Sequence, residues 1–159
     1  IPCLVESLLQ VDFLLILRPP VESVISLCKA EQISCRHALH LWIGSVLRSE
    51  YLSRSYSRKI FTYQQLLESP DSILECCSLL WGKTFVESNL LEAKSFLRPS
   101  LYRTKSNSVK DSFLEVNPDL ADLLAFADYI YGVFLGSSDD LDRALDQSRS
   151  RWIELLAAN

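Results

Sequence analysis

The sequence predicts an α/β protein that is mostly helical by content and contains a short parallel sheet. Two short apolar segments, residues 11–17 and 59–63, are separated by two helical patterns, so the order is strand, helix, helix, strand. Connections of this kind place the two strands parallel, with their carboxyl ends at one edge of the sheet. The chain has 159 residues, of which 48% are hydrophobic and 23% charged, and this composition excludes wholesale disorder.

The first strand is predicted over residues 11–17, an almost continuous apolar run that two prolines stop. Its length suits a strand buried on both faces. Pro20 suits the first turn of a helix that continues to about Ala30. Ser34 is a candidate N-cap for a long helix over residues 35–56. The inward stripe of that helix repeats at helical spacing and consists of Leu39, Trp42, Ile43 and Val46.

The second strand is predicted over residues 59–63, and a helical turn over residues 64–68 follows it directly. Pro70 then restarts a helix, and Gly82 is a candidate C-cap for its end.

The C-terminal part is predicted to be helical around one loop. A helix is expected over residues 87–97, and residues 98–110 are expected to be a loop because they hold four basic residues and no acid. Asn117 is expected to cap a helix that runs to Leu135. A final helix is expected over residues 139–157, so the last part of the chain reads as a helical hairpin.

Charge divides the chain into two predicted domains. Residues 1–110 carry 13 basic and 10 acidic side chains, whereas residues 111–159 carry 3 and 10, which together give the net charge of −4. We therefore expect a mildly basic α/β body over residues 1–110 and an acidic helical hairpin over residues 111–159 packed on it. This balance disfavours nucleic acid as a partner and favours a small anionic ligand on the body.

Composition also predicts a cytoplasmic protein without a membrane span. No apolar run approaches the length of a transmembrane helix, and the N-terminal residues lack a signal-peptide pattern. The five cysteines form no C-x-x-C pair, which favours reduced, buried thiols. His37 and His40 are three residues apart, but no third ligand stands at the next turn, so no metal site is predicted.

The strand ends carry the candidate binding residues. Arg18 ends the first strand just before a helix N-terminus, a combination that suits one phosphate group, and Ser26 on that helix would add a hydroxyl donor. Tyr63 ends the second strand at the same edge, where ligands bind in open parallel sheets. The other interpretations stay open: an arginine that caps carbonyls or pairs with an acid, and a serine on a solvated helix face.

The segment from Arg18 through Pro20 to Ser26 resembles the 3′-phosphate-binding segment of sulfotransferases. In that family a strand ends in Arg-x-Pro and a serine follows eight residues after the arginine, as it does here. Further similarity to bacterial sulfotransferase-like proteins lies in residues 38–42, 55–67 and 96–103. The resemblance covers roughly residues 1–110, which would be the C-terminal part of such a domain.

The resemblance implies a P-loop-type three-layer fold and a transferase that uses 3′-phosphoadenosine 5′-phosphosulfate as donor. A sulfonyl group would move to an acceptor hydroxyl or amine, without a metal. Arg18 and Ser26 would hold the 3′-phosphate of the nucleotide, and Tyr63 would lie near the adenine, although Gln64 stands where the family often has an acid. The basic residues that would close over the nucleotide are Arg98, Arg103 and Lys105.

The family's glycine-rich phosphate loop and its usual catalytic base lie upstream of the strand that ends at Arg18. This sequence begins at Ile1, has no methionine and contains no such loop. We therefore expect a missing N-terminal half, or completion by a homo-oligomer, and no turnover by this chain alone. The catalytic residue and the acceptor stay unassigned. Two alternatives remain: a non-catalytic interaction module that keeps the fold, and an unrelated helical protein in which Arg18 and Tyr63 share no sheet edge.

Overall fold

The computed structural model describes residues 11–82, 91–92, 95, 107–136 and 140–157. The described chain is mostly helical and includes a short two-stranded parallel sheet, which is compatible with the predicted α/β class. The predicted order of strand, helix, helix, strand is confirmed. In chain order the elements are β1 Asp12–Leu17, α1 Pro20–Glu31, α2 Cys35–Ser53, β2 Ser57–Thr62, α3 Tyr63–Glu68, α4 Pro70–Trp81, α5 Asn107–Val116, α6 Ala121–Leu135 and α7 Leu141–Ala157.

The chain forms two compact units that alternate along the sequence. The first unit comprises Ile1–Arg18 and Leu52–Arg103, and the second comprises Pro19–Tyr51 and Thr104–Asn159. The first unit holds β1, β2, α3 and α4, and the second holds nearly all of the remaining helices. The predicted division into residues 1–110 and 111–159 stays a prediction.

In the first unit, β1 and β2 pair in parallel from Asp12 opposite Ser57 to Leu17 opposite Thr62. Strand β2 ends at Thr62, one residue before the predicted end, because Thr62 is the N-cap of α3. Its side chain accepts a hydrogen bond from the backbone N–H of Gln65, and the Gln65 side chain accepts one from the backbone N–H of Thr62. This reciprocal capping box makes Tyr63 the first residue of the helix.

Helix α4 begins and ends as predicted, with Pro70 in its first turn and Gly82 at its C-cap. Gly82 has a φ of 59°, and its N–H donates to the carbonyl of Ser78. That left-handed conformation is unfavourable for residues with a Cβ, which is why glycine is suited to this position.

The second unit is built around an apolar core to which α1, α2, α5, α6 and α7 contribute. Fully buried side chains come from four of these helices: Val24, Leu39, Ile43, Leu124, Ile130 and Leu145. The predicted N-cap of α2 is confirmed, because Ser34 Oγ accepts from the N–H of His37 at 3.2 Å. The helix ends at Ser53, slightly earlier than predicted.

A charged cluster joins α2 to α7 inside the second unit. The Glu50 side chain is fully buried, and Arg149 Nη2 lies 3.5 Å from Glu50 Oε2. Arg149 Nη1 lies 2.8 Å from Asp146 Oδ1, and the guanidinium lies over the ring of Tyr51 at 4.1 Å from its centroid. Breaking a buried pair of this kind usually destabilises a protein strongly.

Two predictions around residue 110 are wrong. Residues 107–110 belong to α5 rather than to a loop, because Val109 and Phe113 lie one turn apart and both pack on the core. Asn117 closes the end of α5 rather than capping α6: its Nδ2 donates to the carbonyl of Phe113 at 3.0 Å. A 3₁₀ turn over Pro118–Leu120 then separates Asn117 from α6.

The predicted helix over residues 87–97 and most of the predicted loop lie outside the described residues. Among the helices of the described ranges, none is both long and apolar enough to cross a bilayer.

Candidate functional site

Arg18 and Tyr63 meet at one edge of the sheet, as the predicted strand order requires. Leu17 is paired with Thr62, so the next residue of each chain segment leaves its strand at the same end. The guanidinium carbon of Arg18 lies 5.1 Å from the centroid of the Tyr63 ring. Both residues are half-buried. A cation over an aromatic face contributes about 0.5–1 kcal/mol at a partly exposed site, which favours this arrangement.

Local sequence explains why both side chains are held at this edge. The apolar β1 ends at Leu17, and the fixed φ of Pro19 and Pro20 restricts the backbone that follows Arg18. On the other strand, the capping box of Thr62 sets where α3 begins and so places Tyr63 in its first turn. Each functional candidate therefore follows a segment with little conformational freedom.

Side chains at this edge carry hydrogen-bond donors. The N–H of Gln65, in the first turn of α3, already donates to Thr62 Oγ1 at 3.1 Å. The side chains of Arg18 and Tyr63 place a guanidinium and a phenolic hydroxyl at this edge. A guanidinium presents several N–H donors in one plane, which matches two oxygens of a phosphate or sulfate.

The other predicted binding residues are not part of this pair. Ser26 belongs to the second unit, where it is exposed in α1. Arg98, Arg103 and Lys105 lie outside the described residues. The structure thus brings together Arg18 and Tyr63.

Both histidines lie on α2 in the second unit, so neither is placed as a base. Burial lowers the pKa of His40, and the charges of Arg36 and His37 lower it further. Within the described ranges, no group of three or more histidine, cysteine or acidic side chains is arranged to hold a metal ion.

Cys28 and Cys35 are free thiols whose sulfur atoms lie 3.4 Å apart, on the two sides of the turn between α1 and α2. Burial and the neighbouring Cys35 raise the pKa of Cys28 to about 11. This favours the thiol over the reactive thiolate.

Sequence reasoning missed a pocket between α2 and α7. Its wall includes Trp152, whose indole lies against the backbone at Gly44. The available signal was Gly44 itself, since a glycine inside a helical pattern often marks a close approach by another side chain.

Comparisons with models of known protein families, with curated proteins and with solved structures give no match for this chain.

Proposed function

We propose that this chain binds a nucleotide with a 3′-phosphate and is part of a sulfotransferase-like enzyme with a P-loop-type three-layer fold. The observation that carries the proposal is the position of Arg18 over the Tyr63 ring, at the carboxyl edge of two parallel strands. The donor would be 3′-phosphoadenosine 5′-phosphosulfate, and the acceptor a hydroxyl or amine.

The chemistry of the two side chains suits the 3′ end of such a nucleotide. The Arg18 guanidinium can donate two parallel hydrogen bonds to phosphate oxygens, and the ring beneath it limits the directions in which it points. The Tyr63 ring offers a flat surface for a base or ribose and a hydroxyl at its edge. Together they discriminate nucleotides by the phosphate on the ribose rather than by the 5′ group.

The transfer step itself needs groups that the described residues do not supply at the sheet edge. The bond between sulfur and the bridging phosphate oxygen breaks, a bond from sulfur to the acceptor atom forms, and a base takes the acceptor proton. We assign no base and no acceptor, and we expect no turnover by this chain alone. Roles for Ser26, Arg98 and Arg103 are proposed from the resemblance only.

The proposal is tested by calorimetric titration of the chain with adenosine 3′,5′-bisphosphate and with 5′-AMP. A charge-assisted phosphate contact contributes about 1.5–3 kcal/mol, so the bisphosphate should bind about tenfold or more tightly than 5′-AMP. In Arg18→Ala that preference should disappear while the fold, followed by circular dichroism, is unchanged. The matched control is Arg58→Ala, because Arg58 lies on β2 opposite Phe13, toward the amino end of the strands.

Two results would contradict the proposal. Equal affinity for the two nucleotides in the unaltered chain would remove the 3′-phosphate subsite. An equal loss of preference in Arg58→Ala and Arg18→Ala would show that general positive charge, rather than the sheet edge, binds the nucleotide.

A second candidate is an interaction module that keeps the fold without catalysis. It is favoured by large apolar side chains that α6 and α7 leave exposed, among them Tyr129, Leu135 and Ile153 at 52%, 55% and 56%. Binding of the bisphosphate that depends on Arg18 would decide in favour of the first candidate.

A further inference from the structure

We infer that the pocket between α2 and α7 is a ligand site for a small organic anion with a flat apolar body. Its volume is about 560 Å³, within the usual range for small-molecule sites. All of its lining residues belong to the second unit, so the inference does not depend on the proposed nucleotide function.

One part of the pocket is apolar and shaped for a flat group. Leu41 and Leu156 line it and remain 44% and 45% exposed, so a ligand that covers them removes apolar surface from water. Trp152 forms a neighbouring wall. A Cβ built at Gly44 would lie only 2.7 Å from Cη2 of that indole, which shows that the ring lies directly against the helix backbone.

The polar part of the lining includes one arginine and no acid. Arg48 lines the pocket and is exposed. His37, which precedes it on α2, also lines the pocket and is exposed, and no acidic side chain is among the lining residues. The nearest acid in sequence, Glu50, is buried beside Arg149 and does not line the pocket. An anionic head is therefore favoured over a neutral or cationic one.

Two buried polar atoms in the wall have no partner among the described residues. These atoms are Trp152 Nε1 and His40 Nδ1. Buried polar groups in folded proteins are nearly always paired, so an unpaired donor beside a cationic pocket points to an acceptor that comes from outside.

The apolar lining and the charge select the occupant. The volume accommodates a bicyclic aromatic acid with room to spare, with its rings against Leu41, Leu156 and Trp152 and its carboxylate toward Arg48. Peptides and other large partners would have to place one such acidic aromatic group in the same position.

The test uses three naphthalene probes of equal shape and different charge: naphthoate, naphthalenemethanol and naphthylmethylammonium. Calorimetric titration should show saturable binding of naphthoate, about fivefold or more tighter than the neutral alcohol and tighter still than the cation. In proton–nitrogen correlation NMR, the indole N–H signal that Trp152→Phe removes should shift when naphthoate is added.

Variants locate the site. Arg48→Gln should reduce naphthoate affinity about fivefold and leave that of the alcohol unchanged, whereas Arg143→Gln, an exposed arginine of α7 outside the pocket, should change neither. Ser45→Phe should weaken the binding of both probes by occupying part of the pocket, and Ser112→Phe on α5 should weaken neither.

Several outcomes would overturn the inference. These are the absence of saturable naphthoate binding to the folded chain, equal affinity for all three probes, and unchanged naphthoate binding in both Arg48→Gln and Ser45→Phe. Because Arg48 and Ser45 are exposed, each variant is expected to fold, and a thermal unfolding curve checks this before the titration.

Discussion

At the scale of single residues, Arg149 is the position where we expect the largest loss of stability. Its guanidinium lies 3.5 Å from the fully buried carboxylate of Glu50 and over the Tyr51 ring. Arg149→Met keeps much of the apolar length but removes the charge that faces Glu50. We expect the free energy of unfolding to fall by about 2–4 kcal/mol, measured by urea denaturation.

The control for this prediction is Arg143→Met, because Arg143 is 73% exposed and pairs only at 3.7 Å with Asp140. It should change stability by less than about 0.5 kcal/mol. In a Glu50→Gln background, Arg149→Met should cost less than in the original chain. Equal costs in both backgrounds would show that the charges do not interact.

Cys28 gives a second prediction at this scale. A pKa raised to about 11 from the ordinary value of 9.0 reduces the thiolate fraction roughly 100-fold below pH 9. Alkylation of Cys28 by iodoacetamide, followed by mass spectrometry of its peptide, should therefore be much slower in the folded chain than in urea. Cys35→Ser should speed the folded-state reaction, since Cys35 contributes to the shift. Similar rates with and without urea would contradict this account.

At the scale of elements, the contact between α2 and α7 depends on the absence of a side chain at Gly44. Replacing glycine by alanine inside a helix normally stabilises it by about 1 kcal/mol. At Gly44, however, the new Cβ would meet the Trp152 indole at 2.7 Å and force the ring outward. We expect Gly44→Ala to destabilise the chain by about 1–3 kcal/mol, as overpacking does, in thermal or urea unfolding.

The matched control is Gly132→Ala, because a Cβ at that position in α6 meets nothing within 4 Å. This variant should stabilise the chain by about 0.5–1 kcal/mol. In a Trp152→Leu background, Gly44→Ala should lose its cost and approach the effect seen at Gly132. A stabilising effect of Gly44→Ala in the original chain would mean that the indole moves aside freely.

Local signals in the sequence predicted many of the element boundaries correctly. Ser34 and Gly82 act through their own backbone neighbours, so a cap is visible in a few consecutive residues. Asn117 was misassigned because an asparagine side chain can hydrogen-bond either to a carbonyl of the preceding helix or to an N–H of the following one. In the structure it donates to the carbonyl of Phe113, the buried residue of α5 that packs on the core. That packing is a tertiary effect.

The pair of residues at the sheet edge could also be predicted from the sequence. The parallel order of the strands places Arg18 beside Tyr63, and this order follows from two apolar runs and a helical connection. The pocket was not predictable, because Arg48 and Trp152 are far apart in sequence and are brought together by the packing of α2 on α7. The glycine at position 44 is the sequence feature that indicates a close approach by another side chain.

At the scale of the whole molecule, groups with a shifted pKa predict how stability depends on pH: His40 at the acidic end, and Cys28, with Cys77 and Tyr131 in the same direction, at the alkaline end. The pKa of His40 is lowered from its ordinary value of 6.5 in the folded chain. The unfolded chain therefore binds more protons below pH 6.5, and the folded state loses stability as the pH falls from 6.5 through the lowered pKa. The pKa of Cys28 is raised, so its contribution is complete below 9.0 and is lost as pH rises toward about 11.

We therefore expect greatest stability between about pH 6.5 and pH 9, measured as the urea midpoint across this range. Other acids also titrate at low pH, so the informative quantity is the difference between variants. His40→Gln should flatten the loss of stability between pH 6.5 and pH 5. A curve that His40→Gln does not alter would exclude His40 as its source.

The alternation of the two units along the chain also has a consequence for biosynthesis. Strands β1 and β2 can pair once Thr62 has left the ribosome, whereas α1 and α2 belong to a unit whose remaining residues begin at Thr104. Until α6 is made, Val24 and Ile43 lack the side chains that bury them in the finished core. A nascent chain that stalls after Arg103 would present this apolar surface to chaperones and proteases, even though every residue of the first unit has already been synthesised.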